Sequence, residues 1–163
     1  MKIAIMSDSH DNWLKLEEGI DVANTQQCTM LLFAGDLISP PGIAILEKFK
    51  GNINFVWGNN EGEKVGISRK MDSLPNITMC GDIFDEEIEG IKVFMNHYPK
   101  IVELAALTGK YDLCIHGHTH IYRHETFGNT LLINPGEIQG YKTGESSFVT
   151  FDTQTRELQK HIV

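Results

Sequence analysis

Seven side chains that follow short apolar runs have the chemistry of metal ligands: Asp8, His10, Asp36, Asn59, His97, His118 and His120. They mix imidazole nitrogen with carboxylate and amide oxygen and include no thiolate. Such a set suits Mn²⁺, Fe, Zn²⁺, Co²⁺ or Ni²⁺ better than Ca²⁺ or an iron–sulfur cluster. The densest stretch is "CIHGHTH", residues 114–120, which holds three of the chain's seven histidines. Neither a packed core nor a solvated loop calls for so much imidazole. Seven ligands are too many for one tetrahedral site and suit two adjacent cations sharing a carboxylate. Two cations ~3.5–4 Å apart form a clamp for in-line attack on phosphorus.

Taken singly, each cluster has a plainer reading. Asp8-Ser9-His10 reads as a helix cap and a surface histidine. Gly35-Asp36 and Gly58-Asn59 are ordinary turn dipeptides, and His97 could be a satisfied core histidine. Their shared placement argues otherwise, because each follows directly on a short apolar run. "KIAIM" leads into "SDSHD", "MLLFA" into "GD", "INFVW" into "GNNE", "IKVFM" into "NHYP", "YDLCI" into "HGHTH" and "LLI" into "NPGE". Apolar and β-branched runs of this length, bounded by Gly, Asn and Asp, predict strands, central ones above all. In open α/β sheets, sites form beyond the carboxyl ends of strands.

Helical spacing predicts the elements between. Trp13, Leu16, Ile20 and Ala23 repeat on one face, with Asp11 or Asn12 placed to cap the start. Ser39-Pro40-Pro41 opens a second helix with Ile43, Leu46 and Phe49 inward and Gly51 past its end. Pro99 opens a third, with Ile101, Leu104 and Ala105 inward and Gly109 as its stop. Residues 62–74 fit neither pattern cleanly. Beyond residue 111 strands follow one another, over 120–127, 130–134, 146–152 and 155–162. Alternating β and α units followed by a strand-rich half predict mixed sheets with helices outside.

The 163 residues suffice for one domain, 1–163, with a sizeable core. Hydrophobic residues at 41% and charged residues at 22% match an ordinary globular protein. Apolar runs of about five residues are too short to cross a bilayer. The N-terminal "MKIAIMSDSH" turns polar too early for a signal peptide. Cys28, Cys80 and Cys114 are isolated and odd in number, which predicts free thiols and a reducing, cytoplasmic setting. The formal net charge of −8 argues against polymeric nucleic acid as a partner. The run "DEEIE" (85–89) reads as the solvated face of a strand or turn.

The ordered motifs "DSH", "GD", "GNN", the later His97 and "GHTH" resemble the calcineurin-like metallophosphoesterase superfamily. Length and the "INPGE" segment are most similar to small bacterial and archaeal YfcE-type phosphodiesterases. The resemblance covers nearly the whole chain. It implies an α/β/β/α sandwich of two mixed sheets flanked by helices, with a dinuclear centre along one edge. It implies that Asp8, His10, Asp36 and His120 hold one cation. Asp36 would bridge to a second, held with Asn59, His97 and His118. Two divalent transition-metal ions follow, Mn²⁺ foremost, with Ni²⁺, Zn²⁺, Fe²⁺ or Co²⁺ as alternatives. By the same analogy Asp8, His10, Asp36, Asn59 and His97 form the catalytic set, and Asn59, Asn60 and Tyr98 meet the substrate. The reaction implied is in-line attack of a metal-bridging hydroxide on a small-molecule phosphoester. Gly117 would allow a tight turn between strand and site, and His116 would support a ligand or pack at the strand end.

Three departures from the superfamily pattern bear on specificity. Many members carry histidine as a proton donor where this chain has Asn60, and a carboxamide cannot donate a proton near neutral pH. That biases the expected activity toward diesters with good leaving groups, unless another acid such as His124 serves. Glu61 would then anchor its loop by hydrogen bonds. Tyr98 stands where relatives commonly have glycine and would narrow the cleft or pack. "IQGYKTGE" follows "NPGE" where relatives carry Ser and Arg, with Lys142 as a substitute cation.

Two other classes compete. A scaffold of the same fold, like the subunit of the retromer complex, would be expected to lose ligands, whereas all seven positions here are filled. An amidohydrolase barrel places its His-x-His on the first strand and needs ~250 residues. No G-x-G-x-x-G follows the first strand, which removes a dinucleotide-binding fold. Self-association is left open.

Overall fold

The computed structural model describes residues 1–163. Its elements run β1 (Lys2–Met6), α1 (Trp13–Thr25), β2 (Met30–Phe33), α2 (Pro41–Leu46), β3 (Asn52–Phe55), α3 (Lys64–Asp72) and β4 (Ile77–Met79). There follow β5 (Ile83–Ile88), β6 (Ile91–Asn96), α4 (Pro99–Leu107), β7 (Leu113–Ile115), β8 (Arg123–Phe127), β9 (Thr130–Asn134), β10 (Ser147–Asp152) and β11 (Leu158–Ile162). Six strands form one sheet in the order β11-β10-β1-β2-β3-β4, and five form a second in the order β5-β6-β7-β9-β8. Both are mixed. In the first, β1 to β4 are parallel while β10 runs antiparallel to β1 and β11 to β10. In the second, β6, β7 and β9 are parallel between antiparallel β5 and β8.

Alternation along the strands explains the layers. On β1, Ile3 and Ile5 point into a core shared with Val93, Met95, Leu113 and Ile115 of the second sheet. Ala4 and Met6 point the other way, to Leu16 and Ile20 of α1 and to Ile43 and Leu46 of α2. On the second sheet Phe94, Cys114 and Leu132 face outward to Val102 and Ala106 of α4. Strands buried on both faces need apolar residues at successive positions. That is why "KIAIM" and "MLLF" read as unbroken runs. The result is the α/β/β/α sandwich the resemblance implies.

The helices start where the sequence indicates, with Asn12 Oδ1 accepting from Lys15 N across the first turn of α1. Two faces differ from expectation. Trp13 is 45% exposed, and α1 buries Leu16, Gly19, Ile20 and Ala23 instead. On α4 the inward residues are Val102 and Ala106, while Leu104 is 62% exposed. That helix is apolar on both sides, so spacing alone selects the wrong stripe. Residues 62–74 contain α3, capped by Glu63 accepting from Gly66 N and anchored by Ile67 and Met71. The acidic run lies on β5, where Asp85, Glu86 and Glu87 are exposed and Ile88 is buried.

Candidate metal centre

Parallel strands in each sheet bring several carboxyl ends to one edge of the sandwich. From the first sheet come the segments after β1 (Asp8, His10), β2 (Asp36) and β3 (Asn59). From the second come those after β6 (His97), β7 (His118, His120) and β9 (Glu137). Backbone bonds lock these ends together. Asp8 N donates to Gly35 O and His10 N to Asp36 O; Gly117 N donates to His97 O, and Gln139 N to Asp8 O. Asp8, His10, Asp36, His118 and His120 all have φ between 42° and 68°. Left-handed backbone at non-glycine residues costs of order 1–3 kcal/mol each and clusters at functional sites.

Two glycines allow these ends to meet. A Cβ on Gly58 would lie 2.1 Å from Asp36 Oδ1. One on Gly117 would lie 2.0 Å from Ser7 Oγ and 2.7 Å from Asp8 Oδ2. Gly117 is thus required for close approach, and its φ is not left-handed; the unusual backbone falls on His118 and His120 themselves. The tight turn is present, with Thr119 N donating to Gly117 O at 2.7 Å, but it is centred on His118.

The seven candidate ligands converge. Asp36 Oδ2 lies 3.3 Å from His10 Nε2 and 3.4 Å from His97 Nε2, midway between the two expected sets. Asp8 Oδ1 is 3.7 Å from His10 Nε2 and 3.6 Å from His120 Nε2. Asn59 Oδ1 is 2.9 Å from His97 Nε2 and 2.7 Å from His118 Nδ1. One donor atom each from Asp8, His10 and His120 falls within 4.8 Å of the others, as it does for Asp8, Asp36 and His97. Asp8 is common to both triads, although the resemblance gives the shared role to Asp36.

Polar satisfaction tests whether cations fit here. Asp8 Oδ1 and His10 Nε2 are buried without a hydrogen-bond partner. Buried polar atoms are nearly always paired, so two orphans aimed at one point call for a ligand. His97 Nδ1 donates to the Ala34 carbonyl at 2.7 Å, which leaves the Nε2 lone pair of a neutral ring facing Asn59 Oδ1. A cation resolves both contacts, and the donor set fits a divalent transition metal.

The electrostatics agree. Burial alone would lift the Asp36 carboxyl, yet the His10 and His97 rings 3.3 Å and 3.4 Å away hold it well below the usual carboxylate range. Burial disfavours the charged His10 ring, but Asp36 and Asp8 outweigh it and raise its pKa to about 9. Burial lowers His118.

The remaining expected residues fall as follows. Asn60 lies against Asp36, its backbone N donating to Oδ1 at 2.8 Å and its Nδ2 to Oδ2 at 2.9 Å. Glu61 is buried and accepts from the backbone N of Asp36 (2.6 Å), Leu37 (3.2 Å) and Gly58 (2.7 Å), an anchor beneath two ligand loops. The Tyr98 ring is 5.2 Å from the His118 ring and partly exposed. His116 is buried, with Nδ1 2.9 Å from Gly117 O and Nε2 unpartnered. His124 is exposed on β8, and Lys142 is exposed in the 139–145 loop. Sequence reasoning missed two supports. Asn134 Nδ2 donates to Gly117 O and Thr119 Oγ1, holding the histidine loop. Glu137 Oε2 is 2.7 Å from His120 Nδ1. The one sequence signal was an acid directly after Asn-Pro-Gly at a strand end.

With this geometry in view, the comparisons with known proteins are specific. Residues 1–156 match the calcineurin-like phosphoesterase superfamily domain. Phosphodiesterase MJ0936 of Methanocaldococcus jannaschii is 32% identical over 165 residues, covering 100% of this chain and 99% of that protein. A solved archaeal phosphodiesterase superposes with a TM-score of 0.94 at 32% identity, covering 100% of both chains. YfcE, a phosphoesterase from E. coli, shares the fold at a TM-score of 0.70 and 17% identity, over 99% of this chain and 98% of that one. Strand-end ligands, layered sheets and full-length similarity converge: this chain belongs to the calcineurin-like phosphoesterase superfamily.

Proposed function

We propose that the chain is a dinuclear metal-dependent phosphodiesterase that hydrolyses small-molecule phosphodiesters with good leaving groups. The observation that carries this reading is the pair of buried, unpartnered atoms, Asp8 Oδ1 and His10 Nε2, set among five further ligand-type side chains. Asp8, His10, Asp36 and His120 would hold one divalent cation, and Asp36, Asn59, His97 and His118 the other, with Mn²⁺ the first choice. When bound, such a pair activates water near neutral pH and neutralises charge on the phosphoryl oxygens. The full-length likeness to a named phosphodiesterase supports diester hydrolysis.

The chain's own residues do the rest. The Ala34 carbonyl fixes the His97 ring, and Glu61 ties the Asp36 and Asn59 loops at a set distance. Tyr98 offers an exposed ring edge beside His118 against which an aryl or base group can pack. Asn60 is committed to Asp36 and has no acidic proton to give. As water's oxygen bonds to phosphorus its proton passes to solvent, the opposite P–O bond breaks and the leaving group takes its electron pair unprotonated. Only stable anions such as aryloxides leave well under that constraint. A scaffold role is the weaker reading, since it needs no intact ligand set.

The test is a chelated preparation reloaded with Mn²⁺ and assayed on a bis-aryl phosphate and an unactivated alkyl diester. The expected result is metal-dependent turnover favouring the aryl diester by at least about 10²-fold, the scale of a missing general acid. Failure to bind metal, or equal rates on both esters, overturns the reading.

A further inference from the structure

One buried acid at the site has no role in the reaction as derived. Glu137, in the turn after β9, is completely buried. Its two oxygens meet five donors. Oε2 lies 2.7 Å from His120 Nδ1 and 2.8 Å from Gln139 Nε2. Oε1 accepts from the backbone N of Lys142 (2.9 Å) and Thr143 (2.7 Å) and from the Thr143 hydroxyl (2.8 Å). The Gln139 amide and the two backbone N can only donate, which favours an ionised carboxylate; the short contact then takes its proton from His120 Nδ1, beside which Gln139 Nε2 also lies at 2.9 Å. The Nε2 lone pair of His120 is then left facing Asp8 Oδ1, 3.6 Å away.

We propose that Glu137 is a positioning residue for the cation site of Asp8, His10 and His120. It fixes the tautomer and orientation of His120 through one oxygen and clamps the 139–145 loop to that histidine through the other. The proposal rests on reading His120 as a ligand. A carboxylate is needed at this position, because both of its ends must accept. A glutamine offers one accepting oxygen and one donating amide. Turned either way, it sets N–H against His120 Nδ1–H or against the Lys142 and Thr143 amides. Carboxylates that orient a ligating histidine change metal affinity by about 10–100-fold.

The experiment is calorimetric titration of chelated full-length chain with Zn²⁺, comparing wild type, Glu137→Gln, His120→Ala and the double variant. One binding step should weaken about 10–100-fold in Glu137→Gln while the other is unchanged. In the His120→Ala background, Glu137→Gln should have no further effect on affinity. A Glu137 that only supports the fold would lower the melting temperature of the metal-free chain and leave both steps unchanged, which overturns the proposal. The wild-type chain supplies a second readout should Glu137→Gln fail to fold. Long-range ¹⁵N NMR of the Zn²⁺-loaded protein should show His120 with its proton on Nδ1, and a proton on Nε2 overturns the proposal. Wild type that binds no Zn²⁺ would instead overturn the phosphodiesterase reading, so the two failures are distinguishable.

Discussion

Asn60 shows how much one side chain decides at this site. It spans Asp36 through its backbone N and its Nδ2, and so supports a candidate ligand; in the proposed reaction it would supply no acid to the leaving group. Asn60→His should keep the backbone bond and restore a group that titrates near neutrality. The expected outcome is a rise of roughly 10²-fold in kcat on an alkyl diester, with little change on an aryl one. Steady-state kinetics on both esters check it. All seven candidate ligands were legible in the sequence because each stands just beyond an apolar run. Glu137 was not, because its meaning lies in a contact with His120 across 17 positions. The left-handed φ of five ligands was equally hidden, since Asp and His are not residues that announce it.

Among the elements, the strands were the readable part and the helix faces the weaker one. β1, β2, β7 and, from Val93 on, β6 are buried on both sides, so their apolar runs are continuous and hard to mistake. α4 presents apolar residues to solvent as well as to β6 and β7, so its buried stripe of Val102 and Ala106 could not be chosen from spacing. Residues 62–74 carry two glycines and few apolar positions, and only packing of Ile67 and Met71 makes α3 evident. The joint between β7 and its loop gives a prediction at this scale. Gly117→Ala places a Cβ against buried Ser7 and Asp8, overpacking worth about 1–3 kcal/mol. Gly62→Ala is the control, with no atom nearer than 3.7 Å. Denaturant melts should show the loss for the first substitution and little change for the second.

In the whole molecule the site is where the two sheets meet at one rim. Four candidate ligands come from the first sheet and three from the second, so the proposed cation pair would bind one sheet to the other. Ligand bound only by the folded state adds about 2.7 kcal/mol at 100 times its Kd. For a chain of this size that corresponds to a melting-temperature rise of roughly 5–10 °C. Calorimetry with and without chelator checks it, and Asp36→Asn should remove most of the gain. No helix is long and apolar enough to cross a membrane.

Cations held as proposed would fasten this rim and so govern how long each copy survives. Unfolded chains are what proteases digest, and their population follows stability. When metal is scarce, empty copies should be degraded first and loaded ones spared. Supply of the ion would then set how much protein persists as well as how fast it works.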